Sequence, residues 1–112
     1  MSDCLFCKIA AGEIPANKVL DEDDIVAFRD LNAQAPTHLL VIPRRHIATM
    51  NDATAEDETL LGKLLTACKR AAAAEKLTDY RIVNNCGESA GQSVFHIHLH
   101  VLGGRSLGWP PG

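Results

Sequence analysis

The period of apolar positions changes several times along the chain, and each change marks an element. From Cys4 to Ala11, Leu5, Phe6 and Ile9 fall on one side of a short helix that Gly12 ends. After Pro15, Lys18–Asp21 and Ile25–Arg29 read as two strands joined by the acidic turn Glu22-Asp23-Asp24. His38–Ile42 is a continuous apolar run closed by Pro43, a third strand expected to be covered on both faces. A long helix is predicted over 55–76, roughly 30 Å in length. Thr54 caps it, with Asp57 three residues on. Its buried stripe is Leu60, Leu61, Leu64, Leu65, Cys68, Ala71 and Ala72, which makes Cys68 a core thiol. Tyr80–Asn84 is a fourth strand. A glycine-rich loop, Gly87 to Gly91, leads into a fifth over Val94–Leu102. Short connections and one dominant helix point to an α+β fold: a five-stranded antiparallel sheet with one long and one short helix. The helix pair is expected to cover one face of the sheet, and the other face or an edge would then invite a second subunit.

The remaining composition narrows the function. At 112 residues the chain is one domain, residues 1–112, without repeat or linker. A net charge of −3 argues against a protein that coats nucleic acid. No apolar run reaches the roughly 18 residues a membrane span needs. The stretch Met1-Ser2-Asp3-Cys4 lacks the basic-then-apolar signature of a leader, so a cytoplasmic location is expected. The four cysteines are then expected as thiols, with Cys4 and Cys7 forming a C-x-x-C.

The chemistry concentrates in His96-Ile97-His98-Leu99-His100-Val101, which holds three of the five histidines. On an extended chain Ile97, Leu99 and Val101 face the core, and the three imidazoles share the opposite face at spacings of about 6.5–7 Å. Two chemistries fit. Histidines at i and i+2 on a strand can chelate zinc with a position left for water. Alternatively, a neutral imidazole can attack phosphorus and form a labile N–P bond. The preceding segment, Asn85 to Ser93, favours the second. Its glycines let backbone N–H groups approach an anion, and Gln92 and Ser93 add donors.

His96 to Leu102 matches the motif His-φ-His-φ-His-φ-φ, and the chain resembles the histidine triad (HIT) superfamily. Phe28-Arg29-Asp30, Ala35-Pro36-Thr37-His38, Val41-Ile42-Pro43, Gly91-Gln92-Ser93-Val94 and Trp109-Pro110-Pro111-Gly112 are similar to its nucleotide-binding branch, dimeric purine nucleoside phosphoramidases. The resemblance implies a HIT fold in a two-fold dimer and cleavage of P–N bonds in AMP or GMP amidates, and of acyl-adenylates, with a purine nucleotide conjugate as substrate.

Residue by residue, the resemblance makes His98 the nucleophile, its tautomer held by a backbone carbonyl near His96. His100 and His38 would contact phosphate oxygens. Gln92 and Ser93 would hold phosphate and departing amine, and Asn85 would complete the phosphate pocket. Asp30 would accept both ribose hydroxyls; read alone it is as well suited to a turn before Asn32. Leu5, Phe6, Ile9, Ile14, Phe28 and Leu31 would surround the base. In zinc-carrying members the ligands correspond to Cys4, Cys7, His46 and His96, so a structural zinc is implied. The tail would reach the partner's active site; the other reading folds it back on its own subunit. Alternatives to the phosphoramidase are a dinucleoside polyphosphate hydrolase of the same superfamily, a zinc hydrolase with metal on the triad, and a nucleotide-binding adaptor.

Overall fold

The computed structural model describes residues 3–112; Met1 and Ser2, where the leader signature was sought, lie outside them. Helix α1 (Leu5–Ala10) is followed by β1 (Lys18–Asp21), β2 (Ile25–Arg29) and β3 (Thr37–Pro43). Helix α2 (Glu58–Ala74), β4 (Tyr80–Val83) and β5 (Leu99–Gly103) complete the chain. All pairings are antiparallel, in the spatial order β1-β2-β3-β5-β4.

Alternation sorts the strands onto two layers. Ile25, Ala27, Leu39, Val41, Leu99 and Val101 meet Leu64, Ala67, Cys68, Ala71 and Ala72 of α2. Val26, Phe28, Leu40 and Ile42 meet Phe6, Ile9 and Ala10 of α1 on the other face, so the two helices cover opposite faces of the sheet and not one face as a pair. β3 is buried on both faces because it is the central strand. Cys68 is fully buried, and burial pushes its thiol up to about 12.

Two boundaries and one buried position differ from the sequence reading. α2 starts at Glu58 because Thr54 and Asp57 close a separate turn, residues 55–57, by a reciprocal capping box. Asp57 is buried there and pairs with Arg45 at 2.6 Å. Leu65, assigned to the buried stripe, is 53% exposed, while Ala67 takes an inward position. β5 begins only at Leu99, so His98 lies outside the ladder and His96 sits in the bend over 94–96. Period two reports which face the side chains take, not hydrogen-bonded pairing.

Within the single chain the tail lies against edge strand β4. Arg81 on β4 donates to the Gly108 carbonyl at 2.7 Å, and its guanidinium lies 6.0 Å from the Trp109 ring centre. Trp109 remains largely exposed. Among the described residues no helix is long and apolar enough to cross a membrane.

Candidate active site

β3 and β5 carry the first two histidines. Leu40 stands opposite His100, which puts His38 on the neighbouring diagonal of the same face. His38 Nδ1 faces the Gln34 backbone N–H at 3.0 Å and must accept from it. The His38 proton therefore sits on Nε2, which donates to His100 Nδ1 at 2.9 Å. His100 is left protonated on Nε2, a buried donor without a partner among the described residues. Such an orphan is costly and marks a place for an acceptor. Burial, with His98 and His38 close by, pushes the His100 pKa down to about 4, so the ring is neutral near pH 7.

His98 is the mirror case. Its Nδ1 lies 2.7 Å from the His96 carbonyl and donates to it, leaving a lone pair on Nε2. Burial lowers the His98 pKa against the opposing pull of that carbonyl and of Asp30. The His98 ring meets Phe6 edge-on at 5.0 Å and His100 at 5.1 Å between ring centres. One neighbour thus offers a lone pair and the other an N–H.

A cleft of about 370 Å³ opens before these two rings. Leu5, Phe6, Ile9, Ile14, Phe28 and Leu31 line it, together with Asp30 and Ser93, so the expected base-pocket residues meet in one place. Leu31 is fully exposed at the rim rather than packed. The sequence reading missed Leu40, Val94, Asn17 and Asn32 as liners; only their spatial neighbours identify them. Asp30 takes the turn role weighed for it and also faces His38. One oxygen accepts from Asn32 N–H at 2.9 Å, closing a turn, and the other lies 3.4 Å from His38 Nε2. A larger polar depression of about 550 Å³, between residues 76–81 and 104–107, contains none of the histidines.

Gln92 and Asn85 depart from expectation. Gln92 is buried and accepts from Gly87 N–H while donating to the Ala48 and Val94 carbonyls. Both amide protons are spent on the backbone, so its side chain braces the loop rather than donating to phosphate. Asn85 is half-buried under Gly91, where an added Cβ would meet its amide at 3.4 Å, and it does not line the cleft. Gly87 and Gly91 have φ of +95° and +101°, the left-handed region that a side chain strains.

Behind the triad, Cys4, Cys7, His46 and His96 place one ligand atom each within 4.8 Å of one another. His96 is fully buried and donates through Nε2 to the Pro43 carbonyl at 2.7 Å. Its Nδ1 lone pair therefore faces Cys4 Sγ at 3.3 Å and Cys7 Sγ at 3.5 Å.

The HIT domain family matches residues 11–107. An uncharacterized HIT-like protein of Synechococcus elongatus is 54% identical over 111 residues, covering 98% of this chain and 97% of that protein. A HIT family hydrolase of Legionella pneumophila superposes with a TM-score of 0.94 at 56% identity, over 97% of this chain and 99% of the other. A histidine triad protein of Clostridium difficile gives 0.93 at 39% identity, covering 96% of each chain. The chain belongs to the HIT domain family.

Proposed function

We propose that the chain is a nucleoside phosphoramidase, a hydrolase that cleaves the P–N bond of purine nucleotide conjugates through a nucleotidyl-His98 intermediate. The observation that carries this reading is the pair of opposed tautomers, a lone pair on His98 Nε2 beside an unpartnered N–H on His100. The base sits in the apolar cleft and Asp30 accepts from the ribose. His100 N–H donates to a phosphoryl oxygen and steadies the charge that develops there. His98 Nε2 forms a bond to phosphorus as the P–N bond breaks, and the amine leaves past Ser93, taking a proton from solvent. The His96 carbonyl holds the proton on Nδ1 of the positively charged phosphoimidazole. Water then attacks phosphorus, its proton passes to solvent, the N–P bond breaks and nucleoside monophosphate leaves. The Legionella relative's description as a hydrolase supports this class of reaction. Mass spectrometry of protein quenched during turnover of adenosine 5′-phosphoramidate tests it: an adenylyl mass increment on His98 is expected, and its absence overturns the reading.

The reading includes a structural zinc. A tetrahedral zinc with bonds of about 2.3 Å to sulfur and 2.0–2.1 Å to nitrogen spaces its ligands about 3.3 Å apart, N to N, and about 3.5 Å, S to N. The His46–His96 nitrogen separation is 3.3 Å, and the sulfur–nitrogen separations are 3.3, 3.4 and 3.5 Å. Two imidazole nitrogens this close need a cation or a proton between them. With four protein ligands, zinc would hold α1 and the loop after β3 against His96 and take no part in bond making.

The reading also includes a two-fold dimer. β4 is an edge strand, and beside it an apolar groove of about 320 Å³ is lined by Met50, Leu61, Leu64, Leu65, Ile82, Ile97 and Leu99. Exposed Met50 and Leu65 give that face a reason to be covered. A cytoplasmic location accords with cysteines that form no disulfide among the described residues.

A further inference from the structure

We infer that Asn84 is a positioning residue for the nucleophile; the inference rests on the reading of His98 as the attacking histidine. β4 and β5 pair as far as Val83 opposite His100. Continued in register, the ladder would set Asn85 opposite His98. The chain instead turns into the loop holding Gly87 and Gly91, and β5 starts after His98. The His98 carbonyl has therefore left the ladder at a residue that is only 6% exposed. A buried carbonyl outside a ladder needs another donor. The Asn84 side-chain amide supplies it, with Nδ2 at 2.9 Å.

This bond and the His98–His96 bond restrain different motions. Nδ1–H on the His96 carbonyl sets how the His98 ring turns. Nδ2–H on the His98 carbonyl sets the peptide plane, and with it the direction in which the side chain leaves the backbone. With only the first bond, ring and residue 96 can shift together and carry Nε2 off the line of attack. Asn84 borders the apolar groove beside Leu64, Ile97 and Leu99, and none of these offers a replacement donor. Asparagine suits the place: an aspartate would set a carboxylate oxygen against a carbonyl oxygen, and alanine would leave the carbonyl bare.

The experiment compares wild type with Asn84→Ala and Asn84→Asp on adenosine 5′-phosphoramidate, with AMP binding measured separately. Misplacement of the attacking atom by about 1 Å costs on the order of 100-fold. The variants are therefore expected to lose about 10- to 100-fold in kcat, Asn84→Asp the more, with AMP affinity within about threefold of wild type. Quenched samples should show slower formation of nucleotidyl-His98. A folded Asn84→Ala protein turning over within about twofold of wild type overturns the inference, as does a loss of AMP binding as large as the loss of kcat. If the variants do not fold, the wild-type protein decides by hydrogen exchange. One Asn84 side-chain amide proton is expected to exchange slowly, and fast exchange of both overturns the inference. A wild-type protein that turns over substrate without ever carrying nucleotide on His98 removes the underlying reading instead.

Discussion

His38 Nε2 lies 2.9 Å from His100 Nδ1, and the Gln34 backbone N–H on the far side of the His38 ring fixes which of the two nitrogens donates. The direction of this chain leaves His100 as an N–H donor. In ¹⁵N spectra near pH 7, His100 is expected as the Nε2–H tautomer and His98 as the Nδ1–H tautomer. Replacing His38 by phenylalanine should release His100 to a mixture of tautomers and lower kcat more than it raises KM. An unchanged His100 signature in that variant would dissolve the chain.

Removing the nucleophile should be far more severe. His98→Ala is expected to lose several orders of magnitude in turnover while still binding AMP, because covalent catalysis ends but the cleft remains. Residual activity above about a tenth of wild type, a barrier change under about 1.4 kcal/mol, would assign the attack elsewhere.

Asp30→Asn should weaken ribonucleotide substrates more than their 2′-deoxy counterparts. A hydrogen bond to a charged acceptor contributes roughly 1.5–3 kcal/mol. The turn to Asn32 N–H survives the change, since an amide oxygen also accepts, so the fold should be little affected. Equal losses for both sugars would separate Asp30 from the ribose.

The histidine pocket also fixes how stability varies with pH. An unfolded histidine titrates near 6.5, whereas His100 in the folded chain titrates at about 4, and burial lowers His38 in the same direction. Between the two values the unfolded chain binds the extra protons. Stability is therefore full above about pH 6.5, falls as pH drops towards 4, and loses no more to His100 below that. Urea midpoints at pH 7 and 4.5 should differ in this sense, and His100→Gln should shrink the difference. A midpoint independent of pH over the window contradicts it.

Purified protein is expected to contain about one zinc per chain, as one four-ligand site requires. Cys4→Ser with Cys7→Ser should lose the metal and melt at lower temperature, with the folded fraction still catalytically competent. A metal-free wild-type protein of the same stability would reduce the cysteines to plain thiols, and a second zinc on the triad would favour a metal-dependent hydrolase.

The fold was legible wherever burial follows a period. Ile25 to Phe28 read as a strand, but the run is apolar at every position, so its division between two helices on opposite faces was not legible. The triad's side assignment was legible because Ile97, Leu99 and Val101 are buried opposite it. What the pattern could not convey is pairing, which is why β5 is shorter than its alternation. Roles that depend on distant backbone were also hidden. Gln92 looks like a phosphate donor until Ala48, 44 residues away, is seen to occupy its amide. Asn84 resembles the last residue of a strand, and its low strand propensity was the one available sign that it does something else. The tail's course depends on Arg81, and nothing near Trp109 in the sequence names that partner.

The short connection after β3 lends its carbonyls to the histidine segment: Pro43 to the His96 ring, Ile47 to the Ile97 N–H at 2.6 Å, and Ala48 to Gln92. Every one of these acceptors is main chain. Side-chain exchange at Pro43, Ile47 or Ala48 therefore leaves the acceptors themselves in place, whereas inserting or deleting one residue between 44 and 47 moves them out of phase together. For these three acceptors the quantity that matters is the number of residues between them. Substitutions at Pro43, Ile47 and Ala48 would not expose that dependence, whereas a single-codon deletion would, and it would also displace His46 and Arg45 from their partners.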